Sequence, residues 1–169
     1  SDNIVVVFIG DGTLGEGIVY ESLNMAAIYD APLLVVVEDN DIAQTTMKDD
    51  VFAGSIQSRM EGFGFYCENL SYPTPDKIYQ STNKTLEKVK SGKPAAIIIK
   101  SARLGSHSKG DETRPEMLME FLRDKDPLVR SAGSFTEVEV ASIWDKAKKK
   151  VASTFETARQ APEPNTPLT

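Results

Sequence analysis

Basic residues are in short supply: 19 Lys+Arg stand against 25 Asp+Glu over 169 residues, a formal charge of −6. Binding a phosphate backbone takes a dense basic surface, which argues against nucleic acid as the main partner. Long apolar runs are missing too. The longest, Ile4 to Ile9 and Pro32 to Val37, fall far short of the roughly 20 residues that cross a bilayer. A single cysteine, Cys67, forms no internal disulfide and is expected to be an inert buried thiol. The first residues carry no basic-then-apolar leader, which with the lone cysteine points to a reducing compartment, the cytoplasm or, in a eukaryote, the mitochondrial matrix. No internal repeat or low-complexity segment stands out. Ser1 precedes the first apolar run by only three residues, so the expectation is a processed chain, a split gene product or a piece of something longer.

What is present suits one folded core, since 40% of the residues are hydrophobic. Val5 to Ile9 is a continuous, β-branched-rich run, which predicts a central parallel strand covered on both faces. Leu14 to Tyr29 carries Val19, Leu23, Ala26 and Ala27 at helical spacing before Pro32, and Leu33 to Val37 repeats the strand pattern. Strand, helix and strand in that order predict a βαβ unit. A second cycle follows: a short helix near Ala53 to Glu61, a strand over Phe65 to Leu70, a helix from Pro75 to Gly92 and a strand over Ala95 to Ile99. A polar loop spans Ala102 to Arg114. Glu116 to Arg123 then reads as a short helix, and Thr136-Glu137-Val138-Glu139 has capping-box spacing before a long one. The predicted fold is α/β, a mainly parallel sheet with helices on both faces, and ligands are expected at the strands' carboxyl edge. Residues 1–161 are expected to form the domain and 162–169 a tail.

The first chemistry lies in Gly10-Asp11-Gly12-Thr13, between a strand and a helix. Glycines let backbone approach a ligand, and free N–H groups at a helix start favour phosphate oxygens. Asp11 would repel a diphosphate unless a divalent cation lay between them, so the combination suggests a metal-bridged phosphate ligand. The alternative is a tight turn with Asp11 as a helix N-cap. The next strand ends in Glu38-Asp39-Asn40 at the same sheet edge, where parallel pairing brings Asp11 and Asn40 together. Carboxylate, amide and carbonyl oxygens with phosphate suit the near-octahedral preference of Mg²⁺. Asn40 reads equally well as a residue that initiates a loop.

Gly10-Asp11-Gly12, 27 intervening residues and then Asn40 resemble the thiamine-diphosphate motif, a Gly-Asp-Gly triplet followed by Asn at about this distance. Gly10 to Gly17, Glu21 to Ala27 and Arg103-Leu104-Gly105-Ser106-His107-Ser108-Lys109-Gly110-Asp111 resemble the alpha subunit of the decarboxylating component of 2-oxo acid dehydrogenases, the pyruvate and branched-chain group. The similarity persists through Asp126-Pro127-Leu128 to Ala161-Pro162-Glu163-Pro164 and so covers essentially the whole chain.

The resemblance implies a thiamine-diphosphate-binding fold and the cofactors thiamine diphosphate and Mg²⁺. By the resemblance, Asp11 and Asn40 bind the metal through side chains and Ile42 through its carbonyl, while Gly10, Gly12 and Thr13 hold the diphosphate. His107, the only histidine, matches the family residue that assists acyl transfer to lipoamide. Its position in a polar loop suits a proton donor or acceptor, because imidazole titrates near neutrality. Ser108 falls where mitochondrial members are phosphorylated; its plain reading is a loop serine. The chain departs from the family at Asp39, usually Asn; at Ile42, usually aromatic; and at Gly105-Ser106, where a second histidine is common. Asp39 adds charge close to the metal. Arg103, Asp111 and Arg114 are expected to order the loop, and Lys146 to Lys150 to solvate the last helix. The implied activity is 2-oxo acid decarboxylation. It would need a beta-like pyrimidine-binding subunit, an upstream part of the alpha-like domain and a lipoyl-bearing acyltransferase. The rivals are a thiamine-diphosphate carboligase forming acyloins or ketols, and a non-catalytic assembly subunit.

Overall fold

The structure, a computed structural model, describes residues 3–108 and 110–163. It divides into two compact units, Ser1–Arg130 and Ser131–Thr169. In the first, β1 (Val5–Gly10) runs into a 3₁₀ turn (Asp11–Gly15) and α1 (Gly17–Ile28). Next come β2 (Leu33–Asp39) and a small antiparallel hairpin of β3 (Ile42–Ala43) and β4 (Thr46–Met47). The chain continues through α2 (Lys48–Val51), α3 (Ile56–Gly62), β5 (Tyr66–Ser71), α4 (Pro75–Lys90) and β6 (Ala95–Lys100) to α5 (Glu116–Arg123); α6 (Pro127–Ala132) runs across the boundary between the units.

The four long strands form one all-parallel sheet in the order β1-β2-β6-β5. Side chains alternate across a strand, so β2 and β6 feed two cores. Val35, Val37, Ala96 and Ile98 pack with Leu23 and Ala26 of α1 and Ile56 and Met60 of α3. Leu34, Val36, Ala95 and Ile97 pack with Val89 of α4. Each buried Val, Leu or Ile contributes about 1.5–3 kcal/mol. Helices therefore cover both faces, as the apolar runs of β2 and β6 predict.

The outer strand differs from expectation. β1 pairs only with β2, and Val5 and Phe8 are 61% and 67% exposed, so it is an edge strand and not a central one. A continuous apolar run reports surface that needs cover, whereas the described residues cover only part of it. The helix expected from Leu14 begins later as well. Gly12, Gly15 and Gly17 lower helix propensity there, and extended backbone at Glu16 separates the 3₁₀ turn from α1.

The second unit contains α7 (Glu137–Gln160), whose start is fixed by the expected capping box. The Thr136 hydroxyl accepts from the Glu139 N–H, and the Glu139 carboxylate accepts from the Thr136 N–H. Lys149 pairs with Asp145 on its solvated face. Of the expected tail, residues 164–169 lie outside the described residues.

Candidate functional site

The β1–β2 register pairs Gly10 with Glu38, so one step further along both strands brings the Asp11 turn beside Asp39 and Asn40 at the carboxyl edge. Asp11 is buried, 3% exposed, while Gly12 and Thr13 next to it are open. Asp11 is not the N-cap; Gly10 takes that place. One Asp11 carboxylate oxygen accepts the Gly12 N–H at 2.9 Å. The other, Oδ2, is buried without a hydrogen-bond partner. Burial, and after it the negative charge of the facing Asp39, hold the Asp11 carboxyl above its ordinary range. A buried carboxylate oxygen with no donor is a place for a cation.

Gly12 is required by space. A Cβ there would lie 2.5 Å from the Ala43 Cβ, so the turn packs directly on the β3–β4 hairpin. Its far end is held by Tyr20 of α1, whose hydroxyl donates to the Leu14 carbonyl and accepts from Arg59 of α3. The Arg59 guanidinium lies 3.9 Å from the Phe52 ring centroid.

Asn40 does initiate its loop. Its Oδ1 accepts the Ile42 N–H at 3.1 Å, an Asx turn, and Ile42 is buried at 4% exposure. Asp41 and Gln44 adopt left-handed backbone, φ 66° and 53°. The loop is riveted by charge. Lys48 Nζ donates to both Asp39 oxygens at 2.8 Å and pairs with Asp41 at 2.7 Å; Lys100 of β6 reaches both acids. Burial pushes the Asp41 carboxyl up, but hydrogen bonds from Lys100 and Lys48 outweigh it and hold it below its usual range. For Lys48, burial acts downward, and the bonds to Asp39 and Asp41 win, raising it. Asp39 thus comes with its own counter-cations. Lys48 and Lys100 escaped the sequence reading because they lie nine and 61 positions from Asp39; only the register joins them.

The sheet edge therefore gathers Gly10, Asp11, Gly12, Thr13, Asn40 and Ile42. His107 lies on the polar loop that follows β6. Its side chain is 53% exposed, its Nδ1 lies 4.0 Å from Asp111, and among the described residues no hydrogen bond or ion pair joins it to the Asp11 turn. Asp111 accepts from the N–H and hydroxyl of Ser108. Arg114 orders the same loop as expected, donating to the Arg103 and Gly105 carbonyls and pairing with Glu112. That pairing holds the Glu112 carboxyl down at about 2. Arg103 donates to the Gln44 carbonyl at 2.8 Å, tying the loop to the hairpin. Cys67 is half-buried, and burial with the Glu61 charge pushes its thiol up to about 12, as expected for an unreactive thiol.

The family model for the dehydrogenase E1 component matches residues 1–167. The chain is 25% identical over 175 aligned residues to a pyruvate dehydrogenase E1 component subunit alpha of Rickettsia bellii, covering 98% of this chain and 54% of that protein. It is also 25% identical to the alpha subunit of acetoin:2,6-dichlorophenolindophenol oxidoreductase of Cupriavidus necator, covering 94% and 51%. A transketolase from Pichia stipitis superimposes with a TM-score of 0.51 at 23% identity, over 59% of this chain and 15% of that one, a likeness of fold. The chain spans about half the length of the curated relatives it matches. With a Gly-Asp-Gly turn that buries its aspartate at the edge of a parallel sheet and a family match along nearly all its length, this chain belongs to the dehydrogenase E1 component family.

Proposed function

We propose that this chain is the cofactor-seating part of an alpha-type subunit of a 2-oxo acid decarboxylating dehydrogenase. It would bind thiamine diphosphate through Mg²⁺ and act with a beta-like pyrimidine-binding subunit. The observation that carries this reading is the Asp11 Oδ2, buried, unpartnered and beside the open backbone of Gly12 and Thr13. The oxygen donors fit a hard divalent cation: Asp11 and Asn40 through side chains and Ile42 through its carbonyl. The Gly10-to-Thr13 backbone, with no bulk at Gly12, receives the diphosphate. When bound, thiamine diphosphate supplies the electron sink for decarboxylation. The protein's task is to fix the diphosphate end and exclude misplacement.

His107 lies on an ordered polar loop with Asp111 within 4.0 Å of its Nδ1. This arrangement suits a ring that exchanges a proton through its other nitrogen during acyl transfer to a lipoyl group. The exposed β1 edge supports a further region of polypeptide beside it, because bare apolar edge strands are otherwise aggregation-prone.

Calorimetric titration of the assembled protein with thiamine diphosphate and Mg²⁺ tests the reading. Binding that Asp11→Ala and Asn40→Ala each abolish supports it, and absence of cofactor binding removes it. His107→Ala is expected to slow acyl transfer more than decarboxylation; equal loss of both removes that role. The acetoin-linked relative favours one alternative, a carbon-ligating or carbon-cleaving acceptor reaction on the same diphosphate site. Product analysis with lipoamide against aldehyde acceptors separates the two.

A further inference from the structure

We infer that Lys48 is a positioning residue that reserves the cation site for Asp11, by keeping Asp39 occupied as the partner of a built-in ammonium. The inference rests on the reading of Asp11 as the metal carboxylate.

Two buried carboxylates face each other at the sheet edge, Asp11 at 3% and Asp39 at 7% exposure. Both have the chemistry to take a divalent cation, yet their surroundings differ sharply. Asp39 is saturated: Lys48 Nζ sits 2.8 Å from each of its oxygens, Lys100 Nζ is 3.7 Å away, and the Asp41 N–H adds a longer bond of 3.3 Å. Asp11 keeps one oxygen free. The chain's own cations thus assign the two carboxylates to different tasks. Lys48 also holds the residues on either side of Asn40. Its Nζ bonds Asp39 and Asp41, its backbone N–H donates to the Asp41 carbonyl at 2.8 Å, and its side chain is only 15% exposed. Removing the Lys48 ammonium strips Asp39 of both its 2.8 Å bonds and leaves it only the longer 3.7 Å pairing with Lys100, a poorly compensated buried charge beside an incoming diphosphate.

The opposite charges of the two ligands give the test its signature. An unmasked carboxylate repels the anionic diphosphate but does not repel a bare metal ion. In the assembled protein, thiamine diphosphate affinity at saturating Mg²⁺ is measured by calorimetry, and Mn²⁺ affinity without cofactor by electron paramagnetic resonance. Lys48→Met is expected to weaken thiamine diphosphate binding by about tenfold or more while Mn²⁺ binding holds or tightens. Adding Asp39→Asn to Lys48→Met is expected to bring thiamine diphosphate affinity back to within about threefold of the parent, since no charge then remains to mask. Parallel loss of both affinities would mean a merely structural lysine and would overturn the inference. So would failure of the double variant to recover, the result expected if Lys48 touched the diphosphate itself, or an unchanged affinity in Lys48→Met. Asp11→Asn is the separate control: Mn²⁺ binding that survives it removes the metal reading and not merely the role of Lys48.

Discussion

Gly12→Ala offers a direct measure of how tightly the turn and the hairpin are coupled. The added Cβ would lie 2.5 Å from the Ala43 Cβ, whereas carbons in favourable contact sit about 3.5–4.0 Å apart. The turn and hairpin must therefore separate by roughly 1–1.5 Å to reach that contact distance. Gly12 is not among the residues with positive φ, so the cost is one of space and not of backbone conformation. Overpacking of this kind costs about 1–3 kcal/mol. The strain falls between Asp11 and the Asn40 loop, so cofactor affinity should drop with stability. Urea unfolding at fixed protein concentration, followed by circular dichroism, reads the first effect, and calorimetry reads the second. Ala43→Gly removes the methyl that is struck, and the double variant should recover most of the loss, less the roughly 0.5–1 kcal/mol that glycine costs in a strand. Wild-type stability in Gly12→Ala, or no recovery in the double variant, would refute the contact as the cause.

Three further outcomes follow from the same structure. The Asp11 carboxyl is held above its ordinary 3.8. Its favourable contribution to the metal-free fold is therefore complete below that value and lost as pH rises through the raised one. Asp11→Asn should thus melt higher than wild type at neutral pH in a chelator while losing metal binding; a lower melting temperature would contradict the assignment. The Arg114 pairing depresses Glu112 to about 2 from 4.5. The loop anchor it supplies is complete above pH 4.5 and lost as pH falls through about 2. Arg114→Gln should accordingly make residues 103–112 cleavable by protease at neutral pH, read by mass spectrometry. Thr136→Ala removes the hydroxyl that caps α7 and should cost about 1 kcal/mol by thermal unfolding, with no effect on cofactor affinity.

The sequence reading succeeds where periodicity is long or capping chemistry explicit. The apolar runs of β2 and β6 and the four-residue capping box at Thr136 foretell their elements closely. So does α5, found over Glu116–Arg123 as expected. It misses β3–β4 and α6, whose two to six residues are too few for a period to register. It also misplaces β1, because an apolar run tells how much cover a strand needs and not which polypeptide provides it. At the site, the Gly-Asp-Gly turn and Asn40 are legible from adjacent strand ends. The Lys48–Asp39–Asp41–Lys100 network is not, since it depends on which strands pair. In the sequence alone Asp39 reads as added charge at the candidate site, whereas the fold neutralises it with two lysines.

The strand order carries a thermodynamic consequence. The turn bearing Asp11 hangs from β1, an edge strand whose Val5 and Phe8 are exposed on its two faces. Whatever packs against that strand restrains the turn, and whatever binds the turn restrains the strand. On the proposed function, loading and association would share one free energy, each tightening the other by the same factor. The apparent cofactor affinity would then depend on subunit concentration, and the apparent strength of assembly on free metal and diphosphate.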